Sequence, residues 1–409
     1  MELKYGTTSI PLEFKQPASV FQIKEPLKTV TPQQLKQRLA KQLNSINPDL
    51  SRSAIVVGDK TRLCGYSEYL PVVLDTLQEF GVVKENVRVY IAYGTHLPQS
   101  EQESVRSYGP VYYDYTFVHH DCNDPGIFES IATTTRGTEV FFRKDIADSS
   151  FLLTFGAISH HYFAGYGGGR KLIFPGLGYK AAIYQNHSLF LDSNTQRLAD
   201  GCMAGCIEDN PLAEDLAEIE SFNPADLSIH GILNSQGVVC DLLVGSGPES
   251  FRKACALYGE YCETREKGQF DLVIASCGGF PKDINFIQSH KAIHNASFFV
   301  KDNGHLIVLA ECRDGVGSKT FLPWLEIGNY QTAFETLARN YEGNGGTALA
   351  MMEKSDRIRI SLLTTLNSQD GDTIGFDKLN QGQIQTIINS EKSPTAVIPN
   401  ASLLVKVTR

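Results

Sequence analysis

Two hydrophobic periods alternate along most of the chain. Short apolar runs at Ala54–Val57, Val87–Ala92, Tyr115–Val118 and Phe151–Phe155 read as strands. Helical spacing predicts helices over Pro32–Leu43, Tyr69–Phe80 and near Gln99–Tyr108. Further on, amphipathic helices over Asn210–Phe222 and Pro248–Cys262 flank a hairpin-like stretch around Ile232–Leu243. A second rhythm follows: a strand at Phe270–Ala275, a helix over Asn285–Val300, a strand at Leu306–Ala310, then helices near Thr332–Tyr341, Thr347–Lys354 and Gly382–Ser390. Strands and helices that alternate over short connections imply an α/β fold, with two α/β domains built on mostly parallel sheets. The polar turn Thr264–Gly268 is the expected hinge, which divides the chain into residues 1–265 and 266–409 with a cleft between them.

Length supports that division, because 409 residues exceed what one compact core serves. Charge narrows the partners. With 37 Lys and Arg against 46 Asp and Glu, the net charge is −9, and no basic block is present. Nucleic acid and anionic membranes are therefore poor principal partners, whereas a small basic pocket for an anion is still allowed. Nine unpatterned Cys and a start without a basic–apolar leader lead us to expect a cytoplasmic protein with reduced thiols.

Candidate chemistry collects where strands end. Asp59 and Arg62 follow Ala54–Val57, His96 follows Val87–Ala92, and His160 and His161 follow Phe151–Phe155. In open α/β sheets the carboxyl ends of the strands form the ligand crevice. An acid, a cation and imidazoles are thus expected on one rim, although each alone would pass for an ordinary polar loop residue. The densest segment runs from Ser159 to Lys171 and contains Gly167, Gly168 and Gly169 followed by Arg170 and Lys171. Consecutive glycines let a backbone approach a ligand, and the basic pair favours a phosphate or carboxylate. Walker A and dinucleotide fingerprints both fail here, because Arg170 stands where each needs glycine. Lys171 is a candidate nucleophile or covalent anchor, and His187 a candidate metal ligand. Gln288 and Lys291, three apart on one helix, could hold a carboxylate across the cleft from Arg62.

Together these motifs resemble the nickel-pincer lactate racemase family of 2-hydroxyacid racemases and epimerases. The resemblance rests on Asp59-Lys-Thr-Arg62, Gly94-Thr-His96, His161-Tyr-Phe-Ala-Gly-Tyr-Gly-Gly-Gly-Arg-Lys171, His187 and the run from Gly278 to Lys291. It implies a nickel-pincer nucleotide, pyridinium-3-thioamide-5-thiocarboxylic acid mononucleotide, covalently attached through Lys171, with nickel also held by His187. It further implies that His96 and His161 are paired acid/base groups, that Asp59 supports His96, and that Arg62, Gln288 and Lys291 bind the substrate carboxylate. The expected partners are a small 2-hydroxy acid and the cofactor-biosynthesis enzymes. The chain departs from the family pattern at Leu63 and Leu97, where proline and arginine are usual, and both positions border the substrate side. Two other readings stay open on the residues alone: a zinc-dependent hydrolase using the His cluster, and a non-catalytic binder of a phosphorylated metabolite. Adjacent His160 and His161, with no HxH or HExxH spacing, speak against the first.

Overall fold

The structure, a computed structural model, describes residues 1–407. The chain packs as two units. The first comprises residues 25–190 and 200–261; the second comprises 1–24, 191–199 and the chain from 262 onward.

The first unit is built on a six-stranded sheet. Its strands lie in the order Val239–Gly245, Leu227–Leu233, Phe151–Ala157, Ser53–Gly58, Val87–Ala92, Thr116–His119. Five of them are parallel, and Val239–Gly245 runs antiparallel at one edge. All six residues of Ser53–Gly58 are buried, which explains why this strand reads as a continuous apolar run rather than an alternating one. Ile55, Val57, Leu153 and Phe155 pack with Leu35, Leu39 and Leu43 of helix Pro32–Ile46 and with Leu70, Val73, Leu74 and Leu77 of helix Tyr66–Glu79. Each such side chain contributes roughly 1.5–3 kcal/mol on burial. The first of these helices starts where its sequence says it should. Thr31 and Gln34 form a capping box, Pro32 opens the first turn, and left-handed Asn47 closes the last.

Chain order fixes where a ligand belongs in this sheet. From Ser53–Gly58 the chain moves outward on one side to Val87–Ala92 and Thr116–His119, then returns to Phe151–Ala157 on the other side. The direction of winding therefore reverses between Ser53–Gly58 and Phe151–Ala157, and the crevice opens beyond their carboxyl ends.

The second unit carries its own six-stranded sheet, in the order Asp377–Lys378, Arg359–Leu363, Val300–Leu309, Phe270–Ser276, Thr395–Ile398, Ser19–Val20. All pairings in it are parallel. Helix Phe286–Ser297 follows Phe270–Ser276 and is capped by Asn285, whose side chain accepts from the Gln288 N–H.

A single cut near residue 265 does not describe this packing. Residues 1–24 belong with the second unit, where Ser19–Val20 extends its sheet and Glu2–Tyr5 pairs with Thr8–Pro11 as a hairpin. Residues 191–199 join the same unit. The turn expected as a hinge is partly strand, since Glu263–Thr264 pairs with Val405–Lys406. Strands Arg359–Leu363 and Thr395–Ile398 complete the second sheet beyond the two strands that periodicity indicates. Among the described residues, no helix is long and apolar enough to cross a membrane.

Candidate active site

Asp59 is the first residue beyond Ser53–Gly58, and it is buried. One carboxylate oxygen accepts from the Thr61 N–H and hydroxyl at 2.8 and 2.7 Å. The other meets His96 Nδ1 at 2.7 Å. Burial alone would push this carboxyl up, but the His96 and Thr61 hydrogen bonds outweigh it and hold Asp59 below the usual carboxylate range. An ionised carboxylate only accepts, so Nδ1 of His96 carries the proton and Nε2 is the basic nitrogen.

A second bond ties the same two loops. The Lys60 N–H donates to Gln99 Oε1 at 2.8 Å, and Gln99 itself is buried and anchored to Ser104. Nothing in the spacing of the sequence singles out Gln99; its role exists only because the sheet brings the two strand ends together. The Arg62 N–H closes a turn onto the Asp59 carbonyl at 2.9 Å, and the guanidinium rests against Thr61 with its outer face exposed. Tyr66 holds this loop from beneath: its hydroxyl accepts from the Gly58 N–H and donates to the Phe155 carbonyl.

His161 lies on a small hairpin that leaves the carboxyl end of Phe151–Ala157, with Ser159–His161 paired to Gly165–Gly167. Its Nδ1 accepts from the Phe163 and Ala164 N–H groups at 3.3 and 3.0 Å. His160, its neighbour, packs edge-on against Tyr258. His119 is held by Tyr93 and Tyr112, and buried His120 meets the Gly178 carbonyl, so both serve the fold.

Lys171 follows on a short 3-10 turn, Gly169–Leu172. Desolvation first, then the positive charges of Arg62 and Arg170, push its amine down to about 7. The next loop is stitched to the His96 strand end, where the Gly94 N–H donates to the Gly176 carbonyl at 2.7 Å. His187 sits in helix Lys180–Ser188, where its Nδ1 donates to the Ile183 carbonyl at 2.7 Å, which puts the lone pair of the neutral ring on Nε2. Burial, and then the charge of Lys171, lower its pKa to about 4, so it is a neutral imidazole at pH 7.

The glycines of this segment are also required by the packing around them. A Cβ on Gly168 would lie 2.3 Å from the Ala157 carbonyl oxygen, and one on Gly169 would lie 2.6 Å from the Phe251 ring. Both residues have positive φ, at 82° and 52°. These positions are small because the protein's own atoms press on them. Arg170 likewise turns inward: it is buried over the Phe251 ring at 5.1 Å, and desolvation lowers its pKa against the opposing charge of Glu220. Gly168, Gly169 and Arg170 thus have a packing role beside Lys171.

In the second unit, Lys291 Nζ donates to Gln288 Oε1 at 2.8 Å along helix Phe286–Ser297. An amide N–H and an ammonium are both donors of the kind that binds a carboxylate. Among the described residues, no three His, Cys, Asp or Glu side chains gather into a metal cage. Among the described residues the zinc-hydrolase reading thus finds no such donor set, and a single neutral imidazole, His187, lies close enough to Lys171 to feel its charge.

Residues 5–199 match the model of the lactate racemase N-terminal domain, and residues 265–351 that of the lactate racemase C-terminal domain. The chain is 30% identical over 290 residues to the lactate racemase of Thermoanaerobacterium thermosaccharolyticum, which spans 70% of this chain and 66% of that protein. It is 26% identical over 269 residues to the lactate racemase of Lactiplantibacillus plantarum, spanning 65% and 62%. The matched spans thus cover just under two thirds of either relative. Among solved structures, the lactate racemase apoprotein from Thermoanaerobacterium thermosaccharolyticum superposes with a TM-score of 0.85 at 24% identity, over 99% of both chains. A Thermotoga maritima protein superposes with a TM-score of 0.66 at 13% identity, over 95% of this chain and 100% of that one. At these identities the structural likenesses speak for the fold.

Proposed function

The chain belongs to the lactate racemase family, and we propose that it inverts the C2 stereocentre of a 2-hydroxy acid through a 2-keto acid. The observation that carries this reading is the Asp59–His96 pair at 2.7 Å, on the rim that also holds Lys171 and His187.

Removing the C2 hydrogen as a proton would build negative charge beside a carboxylate. Removing it as hydride avoids that charge but needs an electron-poor acceptor. A nickel-bearing pyridinium nucleotide attached through Lys171, with His187 on the metal, would supply that acceptor. Lys171, with its amine pushed down to about 7, is partly unprotonated at neutral pH and able to form such a link. His187 offers a neutral nitrogen whose ring is oriented by Ile183.

The remaining steps belong to the chain. Arg62 in the first unit, and Gln288 and Lys291 in the second, are each suited to hold a substrate carboxylate by charge-assisted hydrogen bonds. His96 takes the hydroxyl proton at Nε2 as the hydride departs, and Asp59 stabilises the imidazolium that results. His161, on the neighbouring strand end, serves the antipode. Leu63 and Leu97, both exposed, directly follow Arg62 and His96 in the chain, and the substrate on this reading is lactate or a larger 2-hydroxy acid.

Enzyme loaded by the cofactor-synthesis proteins should interconvert the enantiomers of a 2-hydroxy acid in heavy water without gaining deuterium at C2. Solvent deuterium at that carbon would establish direct deprotonation and overturn the reading.

A further inference from the structure

His96 and His161 differ in which nitrogen holds the proton. His96 turns Nδ1 to a carboxylate at 2.7 Å, so Nδ1 is protonated and Nε2 accepts. His161 turns Nδ1 to two backbone N–H groups, so in this ring Nδ1 accepts and Nε2 is protonated. The first arrangement is ready to take a proton. The second cannot take one at Nε2 until the hydrogen already there moves to Nδ1, where it would collide with the Phe163 and Ala164 amides.

What fixes those amides is a residue outside the acid/base set. Asn210 caps helix Pro211–Phe222 and is fully buried. Its Oδ1 accepts from the Ala213 N–H at 3.0 Å and from Cys202 Sγ at 3.3 Å. Its Nδ2 donates to the Phe163 and Cys206 carbonyls, both at 2.9 Å. The amide cannot be reversed, because a flip would set NH₂ against an N–H and oxygen against two carbonyls. Two further contacts hold the same turn. The Phe163 ring stacks on Phe190 at 4.1 Å, and a Cβ on Gly165 would fall 2.1 Å from the Cys206 carbonyl oxygen. The turn after His161 is thus held by Asn210, Phe190 and the Cys206 backbone.

We propose that Asn210 is a positioning residue for His161: through the Phe163 carbonyl it fixes the turn that makes His161 an Nε2–H donor, while Asp59 makes His96 an Nε2 acceptor. The inference rests on the acid/base roles proposed above and makes the two imidazoles unequal. The antipode whose hydroxyl meets His96 finds its base in place, whereas the other must wait for the turn to open and the His161 proton to relocate. Because the two enantiomers are equal in free energy, kcat/KM must be the same in both directions. The inequality therefore shows as a kcat that is lower from one enantiomer, matched by a proportionally lower KM.

Histidine-labelled apoprotein tests this without any turnover. Long-range proton–nitrogen correlation spectra, assigned with His96→Gln and His161→Gln, should show His161 protonated at Nε2 and His96 protonated at Nδ1. The same tautomer in both rings would overturn the proposal. Asn210→Ser keeps an oxygen to cap the helix but removes the two amide N–H donors to the Phe163 and Cys206 carbonyls, and should shift the His161 nitrogens toward a tautomer mixture while leaving those of His96 unchanged. An unmoved His161 spectrum in that variant would remove Asn210 from the argument, and the wild-type spectrum decides the tautomers even if the variant does not fold. Opposite tautomers in an enzyme that, once loaded, fails to interconvert any 2-hydroxy acid would defeat the racemase reading instead.

Discussion

Asp59 and His96 come from neighbouring strand ends 37 residues apart and meet at 2.7 Å, with the carboxylate buried and the imidazole half exposed. That asymmetry lets the ring reach substrate while its orientation is set from inside the protein. Asp59→Asn keeps the size but removes the charge that selects the Nδ1–H tautomer. Racemisation by loaded enzyme should fall by ~10²–10⁴-fold, the range typical of a lost acid/base group. A circular dichroism spectrum like that of the wild type would confirm that the fold persists. Unchanged turnover would dismiss the pair.

Lys171 should react as an amine of unusually low basicity. Its pKa, pushed down to about 7, leaves a sizeable share of the amine in the nucleophilic form at neutrality, against a very small fraction for an ordinary lysine near 10.5. Brief treatment of apoprotein with an amine-selective acylating reagent should label Lys171 ahead of the other lysines, with a rate that rises through pH 7 and levels off above 8. Peptide mass mapping reads this directly. A rate still climbing at pH 9.5 would contradict the low basicity.

Lys354 tests the physics of burial away from the site. It lies buried in helix Gly345–Arg357, its Nζ donates to the Ala350 carbonyl at 2.6 Å, and desolvation, aided by Arg357, lowers it to about 7. Between that value and 10.5 the unfolded chain holds a proton that the folded protein lacks. Stability therefore rises with pH in this window, by up to about 1.4 kcal/mol per unit from one such group. Lys354→Met should flatten the slope of unfolding free energy between pH 7 and 8.5 by about one proton. Urea titrations at four pH values suffice, and an unchanged slope would refute the assignment.

The pair formed by Lys291 and Gln288 should act on binding. Gln288→Ala or Lys291→Ala removes a hydrogen bond to a charged group, worth about 1.5–3 kcal/mol, and KM should rise roughly 10- to 150-fold with a smaller effect on kcat. A large fall in kcat at unchanged KM would assign the pair to the chemical step instead.

The glycine run offers a stability comparison. Gly168→Ala places a methyl 2.3 Å from the Ala157 oxygen, whereas Gly237→Ala, at a nearly equal φ of 79°, meets nothing within 4 Å. Both carry the backbone strain of about 1–2 kcal/mol that a side chain meets there, but only the first adds a collision. Gly168→Ala should therefore lower the melting temperature markedly more. Equal losses would mean that strain alone explains the glycine.

The rhythm of strands and helices, and the clustering of Asp59, His96 and His161 at strand ends, are legible in the sequence because both follow from local periodicity. The second sheet is less so. Ser19–Val20 pairs with Ala396–Val397, and no local pattern announces a partner so distant in the chain. The glycines show another limit. Spacing reveals that backbone space is needed, but whether a ligand or a neighbouring strand fills it depends on packing. Asn210 reads as a helix cap on sequence, which it is; its grip on the Phe163 carbonyl depends on a loop 47 residues away.

The pairing of Ser19–Val20 with the strand near residue 396 has a consequence for biosynthesis. Residues 19 and 20 have no seat in the sheet until the strand more than 370 residues later has been made. The sheet that holds them cannot close before that strand emerges, while the strands between residues 53 and 245 can assemble earlier, so a nascent chain stalled near residue 300 should protect the latter from protease and leave the former open.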